Sequence, residues 1–76
     1  MVTVIADRIV VDAGIRSGKP VIQGTRVPVD LVISKLAACM SEGEICTEYE
    51  ITPQDIRAVL AYAATILSGE EVRAYT

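Results

Sequence analysis

The sequence predicts a mainly α-helical fold, in which a three-helix, helix-turn-helix-like bundle follows a short N-terminal β-strand or hairpin segment. Three observations predict it. Apolar residues recur at helical spacing from Val29 onward. Helix-start signals follow at Ser41 and Thr52, and β-branched residues dominate positions 2–11. Because the breaks between the helical segments are short, the helices are expected to pack consecutively in one bundle.

Residues 1–28 form the predicted N-terminal arm of strand and loop. Residues 12–28 are punctuated by Gly and Pro and contain a short extended piece at 20–23, which favours a hairpin or two short strands. The apolar strand lacks partners for both of its edges within one chain, and an unpaired edge tends to find another chain. The arm is therefore expected to dimerise through its strand residues, Val2, Val4, Ile9 and Val11.

Residues 29–69 form the predicted three-helix core, in one domain with the arm and with a short tail at 70–76. The first helix is expected to run from Val29 to about Cys39 and Met40. The third helix is expected to end at Gly69, because glycine commonly follows the last helical residue.

The starts of the second and third helices carry recognisable caps. Ser41 and Glu44 form a capping box, in which each side chain satisfies a backbone N–H of the other. Thr52 is the predicted N-cap of the third helix, with Pro53 at its first position and Asp55 at its third. Both caps predict sharp helix starts after short turns.

The charge of the chain is unevenly divided. Its net charge is −3, but residues 1–35 hold five cations and three acids, whereas residues 36–76 hold two cations and seven acids. An acidic chain has little non-specific affinity for nucleic acid, so any DNA contact is expected in the basic N-terminal half. The chain is 51% apolar, more than a small monomer readily buries, which favours a homodimer or higher oligomer.

Neither export nor membrane insertion is expected. No apolar stretch reaches the length of a membrane span, and the first residues lack the basic start of a secretory signal. Cys39 and Cys46 are expected to be buried free thiols, although a disulfide between them is possible. These features predict a cytoplasmic protein.

The residues required for catalysis are largely missing. The chain has no histidine, and two cysteines alone do not build a zinc site. Ser17-Gly18-Lys19 fails as a phosphate-binding loop, because Pro20 follows the lysine and Ala13 occupies the first glycine position. The acids at 42–50 are interpreted as a solvated helix face rather than a metal site. We therefore expect no enzyme activity, no cofactor and no metal.

A motif in the arm carries a family resemblance. The segment 17–29 reads S-G-K-P-V-I-Q-G-T-R-V-P-V, and Ser41, Glu44, Tyr49 and the segment 55–63 follow in order. Over roughly residues 9–67 the chain resembles the domain-of-unknown-function family 433. The resemblance implies a homeodomain-like three-helix core and an antitoxin of the VapB type, which binds a PIN-like ribonuclease toxin and represses its own operon as a dimer.

Two departures from the family pattern affect the turns between helices. Cys39 stands where a glycine commonly ends the first helix, and because a left-handed conformation is strained for cysteine, that turn is expected to be reshaped. The segment between Tyr49 and Thr52 is one residue shorter than usual, which alters the second turn.

The predicted DNA or partner contacts lie in two places. One is the loop at residues 16–26, called the basic loop, and the other is the third helix. The residues are Arg16, Lys19, Gln23, Thr25, Arg26, Gln54 and Arg57. For Arg26, pairing inside the chain, with Asp30 or a helix carbonyl, is favoured over a partner contact. The third helix is expected to expose Ala58 and Ala61, and its low charge suits a protein interface better than base recognition. The alternative function is a protein-interaction module that binds no DNA.

Overall fold

The structure is a computed structural model that describes residues 1–70. These residues form three antiparallel strands followed by three helices: β1 (Val2–Ala6), β2 (Ile9–Asp12), β3 (Val21–Ile22), α1 (Val29–Ala37), α2 (Glu42–Tyr49) and α3 (Pro53–Glu70). The predicted helices and N-terminal β segment are confirmed. A third strand joins the hairpin, so the fold of residues 1–70 is mixed α and β rather than mainly α.

The strands follow one another in the order β1-β2-β3. β1 pairs with β2 across a turn at Asp7 and Arg8, with a bulge between Val4 and Ala6. Arg8 takes a positive φ of 64° in this turn. The outer side of β3 is bridged through Val21 to Pro28. In the described part of the chain, β1 is therefore the strand that keeps an open edge.

The core lies between one face of the sheet and the three helices. Ile9 and Ile22 contribute the sheet side and are at most 1% exposed. The largest buried side chains on the helix side are Val32, Ile45, Ile56 and Val59. All six belong to one cluster, so the sheet and the bundle share a single core.

Both predicted helix caps are present. The Ser41 backbone N–H donates to Glu44 Oε1 at 2.9 Å, and the Glu44 N–H donates to Ser41 Oγ at 3.1 Å. At the start of α3, the Thr52 N–H donates to Asp55 Oδ2 at 3.0 Å and the Asp55 N–H donates to Thr52 Oγ1 at 3.2 Å. The two boxes fix the helix starts that the sequence predicted.

The end of α1 corrects three sequence predictions. The helix ends at Ala37 rather than at Cys39 and Met40. Cys39 adopts the left-handed conformation that a glycine commonly adopts at this position, with φ at 69°. Its N–H donates to the Leu36 carbonyl and the Met40 N–H donates to the Lys35 carbonyl, which is the usual bonding of a Schellman motif. The turn is therefore not reshaped, and Cys39 is an exposed rather than a buried free thiol.

Replacing Cys39 by glycine is expected to raise the free energy of unfolding by about 1 kcal/mol, because the strain of a side chain in the left-handed region is removed. Urea denaturation of the reduced protein measures this change. Cys39→Ala keeps the Cβ atom and is expected to leave stability nearly unchanged. A glycine variant no more stable than the alanine variant contradicts this prediction.

The C-terminal end of α3 also differs from the prediction. α3 continues through Gly69 to Glu70, so Gly69 does not end the helix. Most of the predicted tail, at 71–76, lies outside the described residues. None of the helices in residues 1–70 has both the length and the apolarity needed to cross a membrane.

Candidate functional site

An almost entirely apolar depression lies between α1 and α3. This α1–α3 groove has a volume of about 470 Å³. It is lined by Lys19, Pro20, Val29, Asp30, Ile33, Tyr62, Ala63, Ile66 and Leu67. Its walls are two helices and its apolar side chains are open to solvent, a geometry that suits a segment of another protein.

The groove exists because α3 is longer than the elements packed against it. Val59 is its last fully buried residue, Tyr62 and Ala63 are half-buried, and residues 64–69 are exposed. Ile66 and Leu67 remain 45% and 62% exposed. The sequence has no charged residue from 58 to 69. A contiguous exposed apolar surface of this kind commonly marks a protein-binding site.

One end of the groove carries an ion pair. Lys19 Nζ lies 2.7 Å from Asp30 Oδ2, and both side chains are exposed. The hydrogen bond from Lys19 lowers the pKa of Asp30. The sequence analysis favoured an internal partner for Arg26, either Asp30 or a helix carbonyl, and the structure pairs Asp30 with Lys19 instead. The pair gives the otherwise apolar groove one polar end.

The rest of the basic loop is held by hydrogen bonds to its own backbone. Arg16 Nε donates to the Arg26 carbonyl at 3.0 Å. Thr25 Oγ1 donates to the Ile22 carbonyl at 2.7 Å and accepts from the Val27 N–H at 3.0 Å. Thr25 is thus an internal anchor, whereas the side chains of Arg16 and Arg26 are exposed.

The predicted contact residues fall into two groups in space. Arg16 and Lys19 line a depression against α1, together with Leu31 and Ser34. Gln54 and Arg57 line another beside the Asp7–Arg8 turn. Gln23 belongs to this second group, because its N–H donates to the Arg8 carbonyl at 2.8 Å. The sequence alone did not separate these groups.

The hairpin turn covers part of the α3 face that a recognition helix would present to DNA. Ala58, which the sequence analysis expected to be exposed, is only 9% exposed and belongs to the core cluster. Asp7 lies beside Ala58 and Ala61. The prediction for Ala58 is corrected, because the β1–β2 hairpin folds back over this face.

An ion pair fixes the hairpin turn to the start of α3. Arg8 Nη1 lies 3.0 Å from Asp55 Oδ1. Burial alone would raise the pKa of Asp55, but hydrogen bonds from Thr52 and Arg8 outweigh it, and the pKa is lowered. The sequence analysis missed Arg8, because the two residues are 47 positions apart and no local pattern connects them.

The predicted dimer-strand residues do not share one environment. Val2 and Val4 lie on β1 and are exposed. Ile9 is fully buried in the core and Val11 is half-buried, both on the middle strand β2. Ile9 pairs with Ala6 on one side and Ile22 on the other, so it cannot pair with a second chain in this fold, and that part of the prediction is corrected. Val11 pairs with Thr3 of β1.

Comparison with known proteins gives a family but no characterised relative. No curated protein and no solved structure matches the chain. Residues 9–63 match the family described as "Protein of unknown function (DUF433)". The match runs from β2 into α3 and includes the basic loop and most of the α1–α3 groove. The match covers well over half of the sequence, and the chain therefore belongs to the DUF433 family.

Proposed function

We propose that this protein is a non-catalytic, antitoxin-like protein that binds a cognate PIN-like ribonuclease toxin, and that the toxin occupies the α1–α3 groove. The observation that supports the proposal is the groove itself, whose walls include Ile33, Ile66 and Leu67. The VapB-type class comes from the resemblance of the basic-loop motif and its downstream residues.

The chemistry of the groove defines what fills it. Burying an exposed aliphatic side chain contributes about 1.5–3 kcal/mol when it is complete. Because Ile66 and Leu67 are 45% and 62% exposed, each offers a partner about half of that value, roughly 1 kcal/mol, toward the roughly 8 kcal/mol of a micromolar complex. An amphipathic helix with aliphatic side chains on one face fits an apolar groove between two helices.

Co-expression with the product of the adjacent gene tests the proposal. If that product is a PIN-like ribonuclease, the two proteins are expected to copurify as a complex, and the complex is expected to lack the ribonuclease activity of the free toxin. Purified proteins mixed in vitro supply the same two measurements without co-expression. A ribonuclease that stays fully active and separate from this protein contradicts the proposal.

Operator binding is the second candidate function, and the exposed Arg16 and Arg26 of the basic loop favour it. Gln54 and Arg57 at the start of α3 are also exposed. We expect a gel shift on the protein's own promoter whose affinity falls steeply with salt, because phosphate contacts release counterions. If no gel shift occurs even at low salt, the alternative function remains, a protein-interaction module that binds no DNA.

A further inference from the structure

The polar end of the α1–α3 groove carries more positive than negative charge. Lys19 and Asp30 line the groove, and the same two residues line the neighbouring depression that contains Arg16. The groove therefore continues past the ion pair onto the basic loop, where two cations lie beside one acid. All three side chains are exposed and within reach of a bound partner.

The charge of Asp30 is already compensated within the chain. Lys19 Nζ donates to Asp30 Oδ2 at 2.7 Å. This hydrogen bond, together with the backbone N–H groups of Leu31 and Asp30 at the start of α1, lowers the pKa of Asp30. Arg16, in contrast, donates its Nε hydrogen to the Arg26 carbonyl, an uncharged acceptor. The unmatched charge at this end of the groove is therefore positive.

We infer that the α1–α3 groove selects a toxin helix that carries Asp or Glu in its last turn, and that this helix lies antiparallel to α1 with its acidic end at Lys19 and Arg16. The aliphatic face of the helix fills the apolar part of the groove, and complementary charges at its end fix partner choice and orientation. The inference rests on the proposed function and specifies the chemistry of the toxin segment.

The direction of the bound helix follows from the position of the charges. Asp30 lies in the first turn of α1, so the positive end of the groove is at the start of α1. The last carbonyl groups of a helix carry partial negative charge, and its first N–H groups carry partial positive charge. A helix whose C-terminal end faces Lys19 is stabilised there, whereas the reverse direction brings like charges together.

The short length of the groove limits the spacing of the contacts. On α1 its wall runs from Val29 to Ile33, a rise of about 6 Å, or roughly one helical turn. A toxin helix antiparallel to α1 places an aliphatic residue beside Ile33 and the acid one turn later, at Lys19. Residues one turn apart are three or four positions apart. The toxin segment is therefore expected to contain an aliphatic residue followed by Asp or Glu at that spacing.

Titration calorimetry of charge variants with the purified product of the adjacent gene, the proposed toxin, tests the inference. Lys19→Gln should weaken binding about fivefold, the size of a solvent-screened ion pair. Asp30→Asn should strengthen binding about threefold, because it removes the acid that opposes the toxin carboxylate. If the ion pair only supported the shape of the groove, both variants would weaken binding, since both break the pair.

Lys35→Gln is the matched control. It removes the same charge from the last turn of α1, and Lys35 does not line the groove, so this variant should bind like the wild type. The inference is overturned if Asp30→Asn fails to strengthen binding, or if Lys35→Gln weakens it as much as Lys19→Gln does. Toxin binding that Ile66→Glu leaves unchanged places the toxin outside the groove, which overturns the proposed function as well.

Carbodiimide coupling of the complex detects the contact and its direction. The reagent joins a lysine amine to a neighbouring carboxylate, and the Asp30→Asn variant removes the carboxylate that Lys19 contacts within the chain. Mass spectrometry should find Lys19 joined to Asp or Glu in the last turn of a toxin helix. Coupling of Lys19 to the first turn of a helix instead overturns the inferred direction.

Discussion

Replacing Asp55 by alanine is expected to lower the free energy of unfolding by about 2 kcal/mol. The substitution removes the hydrogen bond that the Asp55 carboxylate accepts from the Thr52 N–H at the start of α3, a loss of about 1 kcal/mol. It also removes the ion pair with Arg8 at 3.0 Å, which contributes about 1 kcal/mol because the Arg8 side chain is 45% exposed and solvent screens the pair. For a chain of this size, 2 kcal/mol is a large share of the total stability. Urea denaturation measures the change.

The charge of Asp55 also predicts a dependence of stability on pH. The pKa of Asp55 is lowered from 3.8 in the folded protein. Its carboxylate therefore stabilises the fold fully above the unfolded-state pKa, and this contribution is lost as the pH falls through the lowered folded-state pKa.

Asp55→Asn separates the charge from the cap, because asparagine can still accept the hydrogen bond from the Thr52 N–H. Asp30 is a matched control, since its pKa is also lowered but its side chain is exposed. Below about pH 4, wild type should lose stability most steeply and Asp55→Asn least, with Asp30→Asn closer to the wild type because solvent screens the exposed Asp30 carboxylate. Equal slopes for all three proteins contradict a special contribution from Asp55.

Replacing Ile66 by glutamate is expected to weaken toxin binding about 100-fold or more. The variant removes an apolar contact and requires a carboxylate to leave water in an apolar groove. Each tenfold loss corresponds to about 1.4 kcal/mol, and these two effects together exceed twice that value. Titration calorimetry with the purified toxin measures the affinity.

Ser68→Glu is the control for this substitution. It adds the same charge to an exposed position two residues away, and Ser68 does not line the groove. It should bind the toxin nearly as well as the wild type does. If the two variants are equally weakened, the loss reflects the charge of α3 in general and the assignment of the groove is wrong.

The features that the sequence predicted well are local. The caps at Ser41 and Thr52 depend on residues three positions apart, and both form as expected. The turn after α1 was less predictable, although it is also local. The Schellman hydrogen bonds hold Cys39 in a conformation that its own side chain disfavours, so the residue type alone led to the wrong prediction.

The features that the sequence missed depend on contacts between distant segments. Arg8 meets Asp55 only because the β1–β2 turn folds over the start of α3. The same arrangement buries Ala58, which helical periodicity alone placed on the surface. The α1–α3 groove needs the relative positions of two helices, so the low charge of the third helix indicated a protein interface without showing its shape.

The central claim is that the toxin occupies the α1–α3 groove, and hydrogen–deuterium exchange tests it most directly. The exchange of each backbone segment is compared with and without a saturating amount of the purified product of the adjacent gene, the proposed toxin. The claim predicts slower exchange in α1 and in residues 60–67 of α3, with β1 and α2 unchanged. Protection confined to α2 or to the basic loop, with the groove helices unaffected, would contradict it.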